Sequence, residues 1–469
     1  MNPLRACAAL LIPSLLAAPA EAQSCNGFAG FTAVVQSAIQ NLNLTGMIAR
    51  IDQHGQNVLL QTYGGYPVNA PTPLASGSKA LTCATILTLV DQQLLGLDDT
   101  VGTYLPEYAT GPLAGITIRM CLTHTAGIMQ FSPYTTDPTI TMRQAATLIS
   151  QAPLSYTPGT AFLYGNVSMQ VAGAVAEVVS GLGWHQLFQQ NIAGPLGMTA
   201  TDYYVNGQNQ NPGVAESAQS SAQDFAEFLE MVRAGGLHGA TRILSQATVD
   251  EMLTDQVGNL PILWNPHPLA KPYGIGFVLE RKDALGRTTL ASAPGAYGFF
   301  SWVDRTHDAT GVWLSITFFL FAYPYVLDAY DALDVALAPV GVSCVGTPTP
   351  PCATAPPLLY ATQWPRAGQP DFGIAVTSAP PSAFGAVAFA FGSTSPGLQI
   401  ADLVSYVPTP LGSAALVADA QGNGTLPLPI PPGMQGLPIA LQGAWLDIGG
   451  CGQLDVVASR GLQVGVLPP

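Results

Sequence analysis

Apolar positions along the chain change period several times, and each change marks a structural part. Met47, Ala49 and Ile51 alternate with polar residues, a turn-forming run Gln53-His54-Gly55-Gln56-Asn57 follows, and Val58 and Leu60 resume the alternation. This predicts a β-hairpin over Gly46 to Tyr63. Ala80 to Leu95 is apolar on most helical faces, with Pro71 and Pro73 before it and Gly96 after it. That pattern predicts a buried central helix with Ser76 at its N-terminus. Met169 to Val179, Ala222 to Val232 and Gln246 to Leu253 carry helical spacing, while Gly276 to Glu280 and Phe299 to Val303 read as strands. The run Gly311 to Val326 falls short of the roughly 20 residues a bilayer needs, and Pro324 interrupts it. It predicts a buried strand passing into a helix, with no membrane span.

Beyond Gly341 the texture shifts. Gly and Pro supply 37 of the last 129 residues against 52 of the first 340, and neither Lys nor Glu occurs there. Phe372, Ile374 and Val376, then Val387, Phe389 and Phe391, then Leu462, Val464 and Val466 alternate between turn residues. Period two between breakers predicts short antiparallel strands, so residues 358–469 are expected to form an all-β accessory module after a Pro/Thr-rich linker at 341–357. At the other end, Arg5, the apolar run Ala8 to Ala18 and the small-residue pattern at Ala20 and Ala22 read as a secretory leader over residues 1–22. Export to the periplasm, cell surface or medium follows as an expectation.

Seven cysteines are present, of which Cys7 lies in the leader. The other six permit disulfides in an exported chain; Cys344 and Cys352, flanking a short loop, are the best pair, while Cys83 and Cys121 sit in apolar helical patterns that suit buried thiols. Neither C-x-x-C nor H-E-x-x-H occurs, so no metal or other cofactor is expected.

Only 9% of the 469 residues are charged, and the net charge is −14. With 48% hydrophobic residues, wholesale disorder is excluded. Three lysines and eleven scattered arginines also speak against binding a nucleic-acid backbone. In so lysine-poor a chain, Lys79 at the mouth of an apolar helix is conspicuous. Ser76-Gly77-Ser78-Lys79 puts a hydroxyl and an amine one helical turn apart on one face. A serine hydroxyl needs a base within reach to act as a nucleophile, a desolvated lysine can supply one, and a helix N-terminus favours an oxyanion. The same spacing also arises in a solvated helix cap bearing a surface lysine.

Three further landmarks follow in order: Ile116-Thr117-Ile118-Arg119-Met120-Cys121-Leu122-Thr123-His124-Thr125-Ala126-Gly127, then Tyr164-Gly165-Asn166, then Gly194-Pro195-Leu196-Gly197-Met198. With S-x-x-K before them, residues 30–340 resemble the β-lactamase-related serine hydrolases, which include class C β-lactamases, DD-peptidases and family VIII carboxylesterases. The resemblance implies an α+β, β-lactamase/transpeptidase-like fold: an antiparallel sheet flanked by helices plus a helical lobe, here over residues 23–340, followed by the small all-β domain. It implies Ser76 as the acylated nucleophile, Lys79 as the proton carrier, Tyr164 as general base or relay, and Asn166 orienting both substrate and Lys79. A phenol beside an ammonium is more readily ionised, so the pairing is chemically sensible. His124 matches no proton-transfer role and is expected to pack structurally. Without a G-x-S-x-G elbow, a Ser-His-Asp reading lacks its usual support.

The family's third motif, K-T-G or H-x-G, finds its best match in Ala293-Pro294-Gly295. The cation that would hold the carboxylate of a penicillin or peptide C-terminus is therefore replaced by Ala293. Gly295 would still permit close substrate approach, and the N–H of Ala296 could join that of Ser76 in an oxyanion hole. A neutral small-molecule ester or amide fits such a site best. The alternatives are a β-lactamase or D-Ala-D-Ala carboxypeptidase, and a non-catalytic protein whose β module binds a cell surface or polymer.

Overall fold

The computed structural model describes residues 27–468 apart from 204–208, 270, 346–355, 393–397, 401–402, 406, 408–409, 449–453 and 460. The expected leader, Cys25, Cys352 and Cys451 lie outside the described residues.

The hairpin is β1 (Met47–Gln53) and β2 (Gln56–Tyr63), tighter than expected because His54 and Gly55 take the turn with positive φ. It does not stand alone. The strands β3 (Val278–Lys282), β4 (Thr288–Ser292), β5 (Phe299–Asp304) and β6 (Ala309–Ser315) come from the other end of the hydrolase segment. They join it in one antiparallel sheet of order β3-β4-β5-β6-β1-β2. The seam between distant chain segments is the β1/β6 pair, in register from Met47 opposite Ser315 to Gln53 opposite Ala309.

Period two divides the sheet's side chains between two cores. Met47, Ala49, Ile51, Phe300, Trp302 and Trp313 face α1 (Ala29–Asn41) and the terminal helix Phe319–Ala336. Ile48, Phe299, Val312 and Leu314 face the larger core shared with the helical lobe. Burial on both faces explains why β1, β5 and β6 are almost wholly buried. The run from Gly311 is, as predicted, a strand passing into a helix, with Pro324 inside that helix, and no described helix is long and apolar enough to cross a membrane.

Within the lobe, α2 (Ser78–Asp91) is buried from Ser78 through Leu89. It stops before Leu95 because Gln93 adopts a left-handed φ of 58°, letting Leu94 N–H return to the Leu89 carbonyl at 3.0 Å. Next come α3 (Met142–Ser150), α4 (Val167–Ser180), α5 (Ala222–Arg233) and α6 (Gln246–Met252). The terminal helix is α7. Ser221 and Ser245 cap α5 and α6 by accepting the backbone N–H three residues on.

The C-terminal strands close around their own core of Leu359, Ile374, Val376, Val387, Trp445, Leu462 and Val464. Gly385 and Gly443 are needed beside the Trp445 indole, since a Cβ on either would lie 2.2 Å from it. One difference from expectation is that Val342–Val345, inside the expected linker, is a strand paired with Gly461–Gly465. The module's sheet therefore begins at the domain junction. Cys344 on that strand is disulfide-bonded, with its partner outside the described residues, while Cys83 and Cys121 are buried free thiols. The module meets the hydrolase domain through Asp371, which accepts Ala284 N–H at 3.0 Å, and Gln369, which accepts from Arg287 at 2.8 Å.

Candidate active site

Ser76 sits in a single 3₁₀ turn, Ala75–Gly77, that runs straight into α2. Ala75 holds φ at 46°, a conformation that costs a non-glycine residue about 1–3 kcal/mol and persists only where its surroundings enforce it. Two glycines provide the enforcement. A Cβ on Gly77 would strike the Phe299 ring at 2.7 Å, and one on Gly295 would meet the Leu74 carbonyl at 2.0 Å. Gly295 thus serves close packing of the β4–β5 turn against the Ser76 turn, a reason different from the substrate approach expected of it.

One turn on, Lys79 is 1% exposed. Its Nζ donates to Ser76 Oγ at 3.0 Å, Asn166 Oδ1 at 2.8 Å and the Ala215 carbonyl at 3.1 Å, and lies 4.7 Å from the Tyr164 ring centroid. Three acceptors and a π face satisfy a charge that could not otherwise be buried. Tyr164 directly follows the short strand Phe162–Leu163, and Asn166 precedes α4. The Tyr164 hydroxyl makes no hydrogen bond among the described residues, although the residue lines the same cavity as Ser76.

Sequence reasoning missed Glu216. Asn166 Nδ2 donates to Glu216 Oε2 at 2.5 Å, so one side-chain amide spans an ammonium and a carboxylate. The segment carrying Glu216 is laced to α2 on both sides: Val214 carbonyl accepts from Thr82 at 2.6 Å, and Ala218 N–H donates to Ser78 Oγ at 3.0 Å. Burial pushes the Glu216 carboxyl up, opposed by the Lys79 charge. Glu216 lies 137 residues beyond Lys79, and no local signal ties them. The Asn166 geometry also narrows its expected role, since its oxygen faces Lys79 and its NH₂ faces Glu216.

His124 is 1% exposed and packs between the Tyr164 and Tyr273 rings at 4.5 and 4.9 Å. Burial and the neighbouring Lys79 hold its pKa well below the usual range, which leaves it neutral.

The cleft above Ser76 holds about 380 Å³ and is lined by Tyr164, Trp264, His267, Val278, Pro294, Gly295, Ala296 and Phe318 to Leu320. Ala293 does not line it, its methyl being packed in the main core. The Ala296 N–H donates to no described residue, whereas its carbonyl accepts from Phe319 at 2.9 Å. Behind the wall, Glu280 accepts from Ser292 at 2.6 Å and pairs with His267 at 3.3 Å. The walls Trp264 and Phe318 to Leu320 were not foreseen, because they come from the short strand Ile262–Trp264 and a helix start far apart in sequence.

A helical lobe on an antiparallel sheet, with a serine and a buried lysine at the cleft floor, defines a serine hydrolase. The beta-lactamase family model matches residues 31–333, and the chain belongs to that family. It is 32% identical over 317 residues to lovastatin esterase of Penicillium rubens, a match covering 51% of this chain and 77% of the relative. A putative beta-lactamase from Bacteroides dorei superposes with TM-score 0.59 at 26% identity, over 65% of this chain and 98% of that one. A structure described as SurE with D-Leu shares the fold at 20% identity and TM-score 0.54. Its match spans 85% of this chain and all of that one, so the likeness extends past the hydrolase domain into the β module.

Proposed function

We propose that the protein is an exported carboxylesterase-like hydrolase that cleaves a neutral ester, or an amide, through an acyl-enzyme on Ser76. The observation that carries this reading is the hydrogen bond from the buried Lys79 ammonium to Ser76 Oγ at 3.0 Å on the floor of an open, largely apolar cleft. Ser76 Oγ attacks the carbonyl carbon as its proton passes to the Tyr164 oxygen, with the Lys79 ammonium staying protonated beside both, and Tyr164 hands the proton on to the leaving alkoxide. Water then attacks the acyl-enzyme, its proton travels back to Ser76 Oγ, and the free acid departs. Asn166 holds Lys79 in place. The N–H of Ala296, unpaired among the described residues, with that of Ser76, would receive the oxyanion.

Ester preference over β-lactam or peptide carboxylates is supported by the cleft lining, which among the described residues holds no Lys or Arg and carries the aromatic walls Trp264 and Phe318. The lovastatin esterase likeness points the same way. Export is supported by the leader pattern and by the disulfide at Cys344. A role of the β module in holding a cell surface or polymer is supported by its charge-poor sequence and by an apolar cavity of about 310 Å³ between Phe389, Leu411, Ile430 and Met434.

The test is a paired assay of the full chain on a short-chain p-nitrophenyl ester and a chromogenic cephalosporin. Turnover of the ester with slow or absent cephalosporin cleavage is expected. Fast cephalosporin turnover would mean that another group replaces the missing cation.

A further inference from the structure

Away from the Ser76 cleft, three of the eleven arginines converge on a single indole at the seam between the hydrolase domain and the β module. The guanidinium carbons of Arg366, Arg287 and Arg305 lie 4.6, 5.8 and 5.9 Å from the Trp364 ring centroid. Arg287 sits just before β4 and Arg305 just after β5, while Trp364 and Arg366 belong to the module. In a chain of net charge −14, such a gathering is not a consequence of composition.

Nor are the three charges cancelled where they stand. Asp283 takes Arg287 at 2.7 Å, and the half-exposed Asp250 reaches Arg305 only at 3.5 Å. Arg366 has no carboxylate within ion-pair distance among the described residues, and the other carboxylate on the cavity wall, Asp255, is already taken by Lys282 at 2.8 Å. Like charges this close repel strongly at a partly desolvated site; burial, Arg287 and Arg305 all hold Arg366 below the usual arginine range. Two buried donors point to what is missing. Arg366 Nε and Trp364 Nε1 are both inaccessible and have no partner among the described residues, and Trp364 is 4% exposed. Unpaired buried donors are costly; both are closed to solvent, so an acceptor brought by a ligand relieves them as the two side chains turn toward it on binding. The space exists: a cavity of about 460 Å³ is lined by Arg287, Arg305, Arg366, Trp364, Asp250 and Asp255.

We propose that this arginine cage around Trp364 is an oxyanion-binding site whose ligand, a phosphate or carboxylate group, bridges the hydrolase domain and the β module. The guanidinium fork suits either group, and Arg366 approaches from the opposite domain to Arg287 and Arg305. Occupancy therefore ties the module to the hydrolase sheet without touching the Ser76 cleft.

The experiment titrates the full chain with sodium phosphate and, separately, sodium acetate, with ionic strength held constant by sodium chloride. Tm and indole fluorescence are the two readouts. A saturable rise in Tm with a matching fluorescence change is expected. Arg366→Gln should weaken the midpoint about tenfold or more and leave p-nitrophenyl ester turnover unchanged; Trp364→Phe should remove the fluorescence response. Arg305→Gln provides the same test should Arg366→Gln fold poorly. Saturation by phosphate identifies a phosphate-type ligand, and saturation by acetate alone a carboxylate. Superimposable titrations for wild type and the arginine variants, or responses that follow chloride as closely as either oxyanion, would overturn the proposal.

Discussion

Replacing Glu216 by Gln removes a charge from beside Lys79 while keeping an acceptor for the Asn166 amide. The two hydrogen bonds of the Lys79–Asn166–Glu216 chain, at 2.8 and 2.5 Å, fix the path between the charges. With the amide between them, the charges lie within roughly 8 Å, and at an effective dielectric constant of ~20 their attraction is about 2 kcal/mol. Glu216 is partly open to solvent, so about 1–2 kcal/mol is realised, a five- to thirtyfold loss in kcat. KM should hold, because Glu216 does not line the cleft. Stability should move differently. Burial raises the carboxyl pKa in the folded chain, so the folded state holds that proton longer than the unfolded state does, and stability declines as pH rises through the window above the unfolded value. Gln cannot ionise, so Tm at pH 8 should be equal or higher in the variant. In steady-state ester hydrolysis between pH 5 and 9, activity should fall on the acid side as Glu216 takes up its proton, and the variant should lack that limb. A variant with wild-type kcat, or one whose kcat falls in step with its Tm, would refute the reasoning.

Gly295→Ala places a methyl 2.0 Å from the Leu74 carbonyl; a Tm drop corresponding to about 1–3 kcal/mol is expected, with activity falling further because the Ser76 turn must shift. Trp264→Ala opens the apolar wall, and kcat/KM for a longer acyl ester should fall about tenfold more than for acetate, as lost contact worth about 1.5 kcal/mol implies, while Tm barely moves. Glu177 has its carboxyl pushed up to about 7 by burial. Its folded value is thus raised, so stability should decline as pH climbs from about 4.5 to about 7, by roughly 3 kcal/mol in all. Denaturant midpoints across that range should show the slope in wild type and flatten in Glu177→Gln, and a wild-type profile without the slope would contradict the assignment.

Legibility in the sequence followed sequence distance. Helices α2, α4, α5 and α6 and the strand-to-helix passage at β6 were readable because apolar spacing is a local property. The Ser76–Lys79 pair was readable for the same reason, since three residues in a helix fix their separation. Where the physics is non-local, the sequence was silent. Glu216 is brought to Lys79 by the lacing of its segment to Thr82 and Ser78, and nothing near position 216 announces it. The end of α2 was misplaced because Gln93, not Gly96, takes the left-handed conformation. Val342–Val345 lay hidden within the expected linker because its strand partner lies more than a hundred residues on.

The central claim is that Ser76 is the nucleophile. Intact-mass analysis after exposure to a fluorophosphonate, followed by peptide mapping, tests it directly. One adduct per chain, located on Ser76 and lost in Ser76→Ala together with ester hydrolysis, is predicted; labelling or turnover that survives in Ser76→Ala would contradict the account.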